Sequence, residues 1–298
     1  MNITKTAMVT ICGRPNVGKS TLTNALAGQK LAIVSAKPQT TRNRITAVVN
    51  RSGTQFVIMD TPGFHRPRTK LGDYMVNVVR ESIPDVELVL LLAEPIPNVG
   101  EQEAALIESI RAANIPAILV LNKIDTVEKE KLLEIMSVYS AAFDWAAILP
   151  ISALRRDGTE ELLNEMEKYA APGPPLFPED VDTDQPDRQV CAELVREKLL
   201  GFLDKEVPHG TAVEVTRFSE RDDGIIDLDA TIYCEKASHK GIIIGKGGAT
   251  LKKIGESARR DIERFMGAKV FLQTWVKVKE NWRDSDAMLR NFGYGGDK

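Results

Sequence analysis

Cysteine, histidine and aromatic side chains are scarce in this chain of 298 residues. Its three cysteines, Cys12, Cys191 and Cys234, stand far apart and in no C-x-x-C spacing. That excludes a disulfide framework and a zinc ribbon, and it fits a reducing compartment. His65, His209 and His239 are too scattered for a metal site. With only 6% aromatic residues, a binding surface must lean on aliphatic and charged groups, and Trp145, Trp275 and Trp282 read as core or helix-packing residues. No apolar run reaches the roughly 18 residues that a membrane span needs. The opening stretch, Met1–Gly13, has neither a long apolar run nor a small-residue cleavage site, so no signal peptide is expected. The expected location is the cytoplasm, with peripheral contact to the inner face of the membrane left open.

The chain carries a formal net charge of −3, which taken alone argues against a nucleic-acid partner. The average hides a split. Residues 1–187 hold 19 basic and 24 acidic residues, whereas Lys236–Lys279 holds eleven basic and three acidic. A local excess of that size favours polyanions, although a charge run alone is more often a solvated face.

Periodicity divides the chain in two. In the first part short apolar runs alternate with helical patterns. Strands are predicted at Ala7–Cys12, Leu88–Ala93, Ala117–Leu121 and Ala147–Ile151. Helices are predicted at Lys19–Ala27, Gly100–Ala113, Glu128–Ala142 and Asp157–Tyr169. Ile45–Asn50 and Gln55–Met59 flank Arg51-Ser52-Gly53 and read as a hairpin. The alternation predicts an α/β domain over 1–170, with a mostly parallel sheet covered on both faces and one antiparallel strand at its edge. A Pro- and acid-rich stretch, 171–187, reads as a linker. The remainder, 188–298, reads as a smaller α+β domain: helix Gln189–Leu203, strands Thr211–Phe218 and Ile225–Cys234, helices Lys236–Ile244 and Thr250–Met266, and strand Lys269–Lys279.

Four motifs carry the chemistry of the first domain. Gly13-Arg14-Pro15-Asn16-Val17-Gly18-Lys19-Ser20, with Thr21 following, fits G-x-x-x-x-G-K-[ST] between a strand and a helix. Such a loop points backbone N–H groups and a helix N-terminus at phosphate oxygens. Lys19 is expected to reach the β- and γ-phosphates and Ser20 to ligate Mg²⁺. Asp60-Thr61-Pro62-Gly63 ends a strand; Asp60 is expected to hold the Mg²⁺ and the Gly63 N–H to sense the γ-phosphate. Asn122-Lys123-Ile124-Asp125 also follows a strand. The Asp125 carboxylate suits the N1–H and 2-amino group of guanine and repels adenine, which lacks that amino group. The Lys123 stem can lie over the base, Asn122 can tie this loop to the phosphate loop, and a backbone N–H of Ser152-Ala153 can serve guanine O6. The phosphate-loop pattern is specific in its strand–helix setting, whereas Asp60–Gly63, Asn122–Asp125 and Ser152-Ala153 are each weak alone. All four, in this order and each at the carboxyl end of a strand, are specific, because ligands of such sheets sit at that edge. The pattern predicts a GTP-binding and GTP-hydrolysing domain.

In the second domain Gly245-Lys246-Gly247-Gly248 interrupts two helical segments. A G-x-x-G loop in that setting marks a KH module, which clamps about four nucleotides by their backbone. Lys246, Lys252 and Lys253 add charge, and Ile242, Ile243, Ile244 and Leu251 are candidates for the aliphatic groove. Strands placed before the loop match the type II order. The partner expected is RNA; no DNA is expected.

The phosphate-loop residues, together with Pro38-Gln39-Thr40-Thr41-Arg42, Asp60-Thr61-Pro62-Gly63-Phe64-His65, Leu71-Gly72 and the stretch from Val276 to Arg283, resemble the bacterial Era-type GTPases over essentially the whole chain. The resemblance implies that Thr41, rather than Thr40, completes the Mg²⁺ shell when GTP is bound. It implies catalytic roles for Lys19, Thr41, Asp60 and Gly63. It also implies binding of small-subunit ribosomal RNA near its 3′ end, action in 30S subunit assembly, and a monomer. Phe64 stands where Ras-like enzymes carry a water-orienting glutamine, so turnover is expected to be slow. Asn16 resembles an asparagine that related GTPases use to hold K⁺. The sequence leaves two alternatives. One is an RNA-modification factor, which needs a catalytic or cofactor motif that the second domain does not display. The other is a membrane-associated regulator whose basic stretch 249–264 meets anionic lipid.

Overall fold

A computed structural model describes residues 2–294. Contacts divide it into two compact units. The first holds the residues up to Ala32, Thr41–Pro67 and Gly72–Asp184; the second holds Ile33–Thr40, Arg68–Leu71 and the residues from Gln185 on.

The first unit alternates strand and helix. In chain order it contains β1 (Lys5–Gly13), α1 (Lys19–Ala27), β2 (Ile45–Arg51), β3 (Thr54–Asp60), α2 (Lys70–Glu81, whose first two residues group with the second unit), β4 (Leu88–Ala93), α3 (Glu101–Ala113), β5 (Ala117–Leu121), α4 (Lys129–Ser140), β6 (Ala147–Pro150), α5 (Thr159–Glu167) and β7 (Ala171–Pro172). The sheet order is β2-β3-β1-β4-β5-β6, with β7 pairing β1. β3, β1, β4, β5 and β6 run parallel, and β2 is the antiparallel edge strand that the hairpin pattern predicts. Both faces are covered, which is why β4 and β5 are apolar throughout: Leu88–Ala93 and Ala117–Leu121 are buried at every position. One core layer centres on Val9, Ile11, Leu22 and Leu162, the other on Val79, Leu91, Leu106 and Ile110.

The segment expected as a linker is tied down for most of its length. Val48 N–H donates to the Asp182 carbonyl at 2.8 Å. The Gln55 side chain accepts from the Leu176 and Phe177 N–H groups at 2.7 and 2.9 Å. Periodicity ends here because the stretch is held by its backbone rather than by an apolar face. Helix α2 is absent from the sequence reading. Its signal is there: Met75, Val79 and Ile83 are spaced by four and are buried.

The second unit contains α6 (Asp187–Phe202), β8 (Thr211–Glu220), β9 (Ile226–Cys234), α7 (Ala237–Ile244), α8 (Ala249–Met266), β10 (Val270–Val278) and α9 (Asp286–Asn291). Its sheet is ordered β10-β9-β8, with β8 and β9 antiparallel and β9 and β10 parallel. The core joins α6 (Val195, Leu199), α8 (Ile254, Ala258, Ile262) and the sheet (Leu228, Ala230, Ile232). The order helix, two strands, two helices, strand is the one predicted.

Candidate nucleotide site and nucleic-acid interface

β1 lies at the point where the chain order of the sheet turns from one side to the other, between β3 and β4. The crevice beyond its carboxyl end is therefore the expected ligand site, and Gly13–Ser20 stands there. Gly18 has φ +101, and a Cβ on it would lie 2.2 Å from Asn122 Nδ2. Only glycine lets the base loop come that close. Gly63 is constrained in the same way from the metal side, because a Cβ there would lie 2.8 Å from Pro15 Cα.

The three oxygens assigned to Mg²⁺ converge. Ser20 Oγ donates to Asp60 Oδ2 at 2.6 Å and lies 2.7 Å from Thr41 Oγ1. Thr40 points elsewhere, its hydroxyl donating to the Lys37 carbonyl at 2.7 Å. The other carboxylate oxygen, Asp60 Oδ1, is buried with no hydrogen-bond partner. A buried carboxylate oxygen flanked by two hydroxyls fits a hard divalent cation. Burial pushes Asp60 up to about 6, against the hydrogen bond from Ser20 and the charge of Lys19. Burial likewise pulls Lys19 down to about 8, opposed by Asp60. Lys19 Nζ donates to the carbonyls of Gly13 (3.2 Å) and Arg14 (2.8 Å). Phe64 is buried in the core layer that holds Met59 and Val79, and its N–H donates to the Gly13 carbonyl at 3.1 Å. Its side chain is structural and cannot orient water.

On the base side Asn122 bridges two loops. Its Nδ2 donates to the Val17 carbonyl at 2.8 Å, and its Oδ1 accepts the Ala153 N–H at 2.9 Å. Of the two backbone N–H groups expected to serve guanine O6, that of Ala153 thus donates to Asn122, and that of Ser152 donates to the Asp157 carbonyl at 2.9 Å. Ser152 Oγ donates to Asp125 Oδ1 at 2.6 Å, the chief reason why the Asp125 carboxyl is held below its ordinary value.

Several residues of this region escape the sequence reading. Asn24 accepts from the Leu31 and Ala32 N–H groups at 2.9 and 2.8 Å and so fixes the chain ahead of Thr41. Glu94 and Glu103 meet Arg14 of the phosphate loop. Within the second unit Val34 N–H donates to Glu197 Oε1 at 3.0 Å, and Arg196 of α6 donates to the Thr40 carbonyl. Glu94 carries a faint signal, as an acid that directly follows the apolar run of β4 at the ligand edge. Asn24, Glu103, Arg196 and Glu197 carry none, since polar residues inside helical patterns read as solvated faces.

The glycine loop lies between α7 and α8 as expected. Gly245, Gly247 and Gly248 all have positive φ, at 74°, 58° and 80°, and α8 presents its N-terminus at Ala249. Lys246, Lys252 and Lys253 are exposed. One assignment is corrected: Ile243 is fully buried in the core of the unit and offers no surface to RNA. A helix of period 3.6 turns successive isoleucines to different sides. Ile242 is exposed, while Ile244 and Leu251 are partly buried against the core. Trp275 is corrected too: it is 56% exposed on β10 rather than in the core. Among the described residues no helix is long and apolar enough to cross a membrane.

Residues 8–123 match the family described as 50S ribosome-binding GTPase, and residues 206–283 match the KH domain family. The chain is 53% identical over 294 residues to the GTPase Era of Ruminiclostridium cellulolyticum, covering 99% of both chains. It is 50% identical over 290 residues to the GTPase Era of Clostridium kluyveri, covering 97% of this chain and 99% of that one. Two solved structures superpose over 98% of this chain and 100% of theirs at 36% identity. One is a single-residue variant of Aquifex aeolicus Era bound to GDP.AlF4⁻, with a TM-score of 0.94. The other is Era in complex with MgGDPNP and nucleotides 1506–1542 of 16S ribosomal RNA, with a TM-score of 0.95.

Proposed function

This chain belongs to the family of the GTPase Era, and from that premise we propose that its GTP-bound state is the form that grips small-subunit ribosomal RNA near its 3′ end during 30S assembly. The chain is a GTP hydrolase joined to a KH module. The observation that carries the proposal is the pairing, in one chain, of the Ser20–Thr41–Asp60 cluster with an exposed Gly245–Gly248 loop. The Era structure that superposes over 98% of this chain was solved with MgGDPNP and a 16S ribosomal RNA fragment.

Hydrolysis here is a matter of positioning and charge. The phosphate-loop N–H groups and Lys19 hold the β- and γ-phosphates, and Asp125 selects guanine. Ser20, Thr41 and Asp60 are the residues that would hold Mg²⁺, which would supply positive charge against the charge developing on the transferred phosphoryl group. The Gly63 N–H reports the γ-phosphate. Because Phe64 is packed in the core, no side chain at that position aligns the water, and the isolated protein turns over slowly, well below ~1 s⁻¹. Asn16, exposed and held at φ +66 in the phosphate loop, has an amide oxygen that could ligate K⁺, and such an ion would supply charge that an arginine finger gives elsewhere.

Thr41 belongs to the first unit and the preceding residue, Thr40, to the second. A change at the γ-phosphate that moves Thr41 therefore pulls on a segment bonded to Arg196 and Glu197. The direct test is to crosslink the GTP-loaded protein to cellular RNA and sequence what is bound. Enrichment of the 3′ end of the small-subunit RNA supports the proposal, and an even spread over cellular RNA refutes it.

A further inference from the structure

Glu94 stands at the carboxyl end of β4, on the same edge as the four motifs. One of its oxygens lies 2.5 Å from Lys123 Nζ, in the base-recognition loop. The other lies 3.6 Å from the guanidinium of Arg14, in the phosphate loop. Arg14 is ion-paired in turn, with its Nε 2.5 Å from Glu103 Oε1. Glu103 is fully buried at the start of α3, where its second oxygen accepts the Gly100 N–H at 3.0 Å. The chain of charges thus runs from the start of α3 through Glu103, Arg14 and Glu94 to Lys123.

We propose that Glu94 is a positioning residue for the nucleotide: it tethers the Lys123 ammonium toward the phosphate loop, and so stretches the lysine stem across the face of the guanine. Lys123 has four methylene groups and a free choice of rotamers, and an untethered lysine loses that freedom when a base slides beneath it. A carboxylate that already holds the ammonium removes most of that cost before the ligand arrives, which is preorganisation in the ordinary sense. Because Glu94 also faces Arg14, the tether points along the line from base to phosphates rather than out to solvent. Glu94 touches no reacting atom. It acts through Lys123 and Arg14, so its effect belongs to nucleotide residence.

The side chains of Lys123 and Glu94 are about one-third exposed, at 35% and 30%. An ion pair of that exposure is worth little and is screened by salt. The expected effect is accordingly modest: release of GDP from Glu94→Gln is about five times faster than from wild type, or ~1 kcal/mol.

The test is a double-mutant cycle on the rate of GDP release, read with a fluorescent GDP analogue chased by unlabelled GDP. The proteins are full-length wild type, Glu94→Gln, Lys123→Ala and the double variant. We expect Glu94→Gln to speed release about fivefold alone and to add nothing in the Lys123→Ala background. Raising salt from about 0.05 to about 0.5 M should speed release from wild type and leave the Lys123→Ala protein almost unmoved. If Glu94→Gln releases GDP at the wild-type rate, or speeds release equally in both backgrounds, the tether does not exist. The salt comparison, made on proteins that retain Glu94, decides the matter even where the glutamine variant folds poorly. Failure of wild type to bind the GDP analogue would instead count against the nucleotide site itself.

Discussion

Ser20 and Thr41, twenty-one residues apart in sequence, bring their hydroxyls to 2.7 Å from each other beside the buried carboxylate of Asp60. Thr40, the neighbouring candidate, hydrogen-bonds backwards to Lys37 instead. The two threonines should therefore behave differently. Thr41→Ala removes the oxygen proposed to complete the Mg²⁺ shell, and single-turnover GTP hydrolysis should fall on the order of 10²-fold. Thr40→Ala should stay within about threefold, because it loses one exchangeable hydrogen bond. Rapid-quench assays with protein in excess over GTP compare them directly, and equal losses would remove the distinction.

Asn122 joins the base loop, the phosphate loop and the Ser152-Ala153 turn through two hydrogen bonds of 2.8 and 2.9 Å. Truncation to alanine leaves a buried carbonyl on Val17 and a buried N–H on Ala153 without these partners. Each costs about 1–3 kcal/mol, so Asn122→Ala should lower GDP affinity by on the order of 10²-fold in calorimetric titration. An affinity within about fivefold of wild type would mean that the loops hold their places without it.

The Asp125 carboxyl is held below its ordinary value chiefly by the Ser152 hydroxyl. A depressed carboxylate stays charged, and so keeps its guanine contacts, above its folded pKa, and it loses them as pH falls through that value. Ser152→Ala takes the main cause away, and the pKa rises toward the free-carboxylate range. GDP affinity of Ser152→Ala should therefore begin to fall at a higher pH than that of wild type as the solution is acidified. Superimposable profiles between about pH 7 and pH 4 would show that the Ser152 hydroxyl does not set this pKa.

The cation dependence of hydrolysis tests the role given to Asn16. Wild type should hydrolyse GTP several-fold faster in K⁺ than in Na⁺, and Asn16→Ala should erase that difference. Identical rates of wild type in the two salts would remove K⁺ from the account.

Gly247 has φ +58 and open space around its Cα. Aspartate there is strained in backbone and places a negative charge where a phosphate must approach. Gly247→Asp should weaken RNA binding at least about tenfold. Gly224, in the β8–β9 turn, has φ +78 and equally open surroundings, so Gly224→Asp controls for the strain and should change RNA affinity less than about twofold. Filter binding with a labelled 3′-end fragment reads both.

How much of this was legible in the sequence depended on whether a residue's role is local. The phosphate loop, the strand-end Asp60 and the Asn122–Asp125 turn are contiguous and end apolar strands, so their pattern and their place in the sheet were readable together. Residues that act by meeting a distant segment were not. Glu103 reads as an ordinary helix acid, yet it is fully buried against Arg14. Arg196 reads as the polar face of an amphipathic helix, yet it is buried and bonded to the Thr40 carbonyl 156 residues away. The same limit explains Ile243. The run Ile242-Ile243-Ile244 announces an apolar surface, but only packing decides which isoleucine turns inward. Trp275 errs in the opposite direction, since alternation on an open sheet leaves one face to solvent.

If nucleotide state sets RNA affinity, the linked equilibrium requires different affinities in the two states. The most direct measurement is the dissociation constant of the full-length protein for a fragment of the 3′ end of small-subunit ribosomal RNA, taken once with Mg²⁺ and a non-hydrolysable GTP analogue and once with Mg²⁺ and GDP. The account predicts binding at least about fivefold tighter with the GTP analogue, a coupling of about 1 kcal/mol or more. Equal affinities in the two states would contradict it.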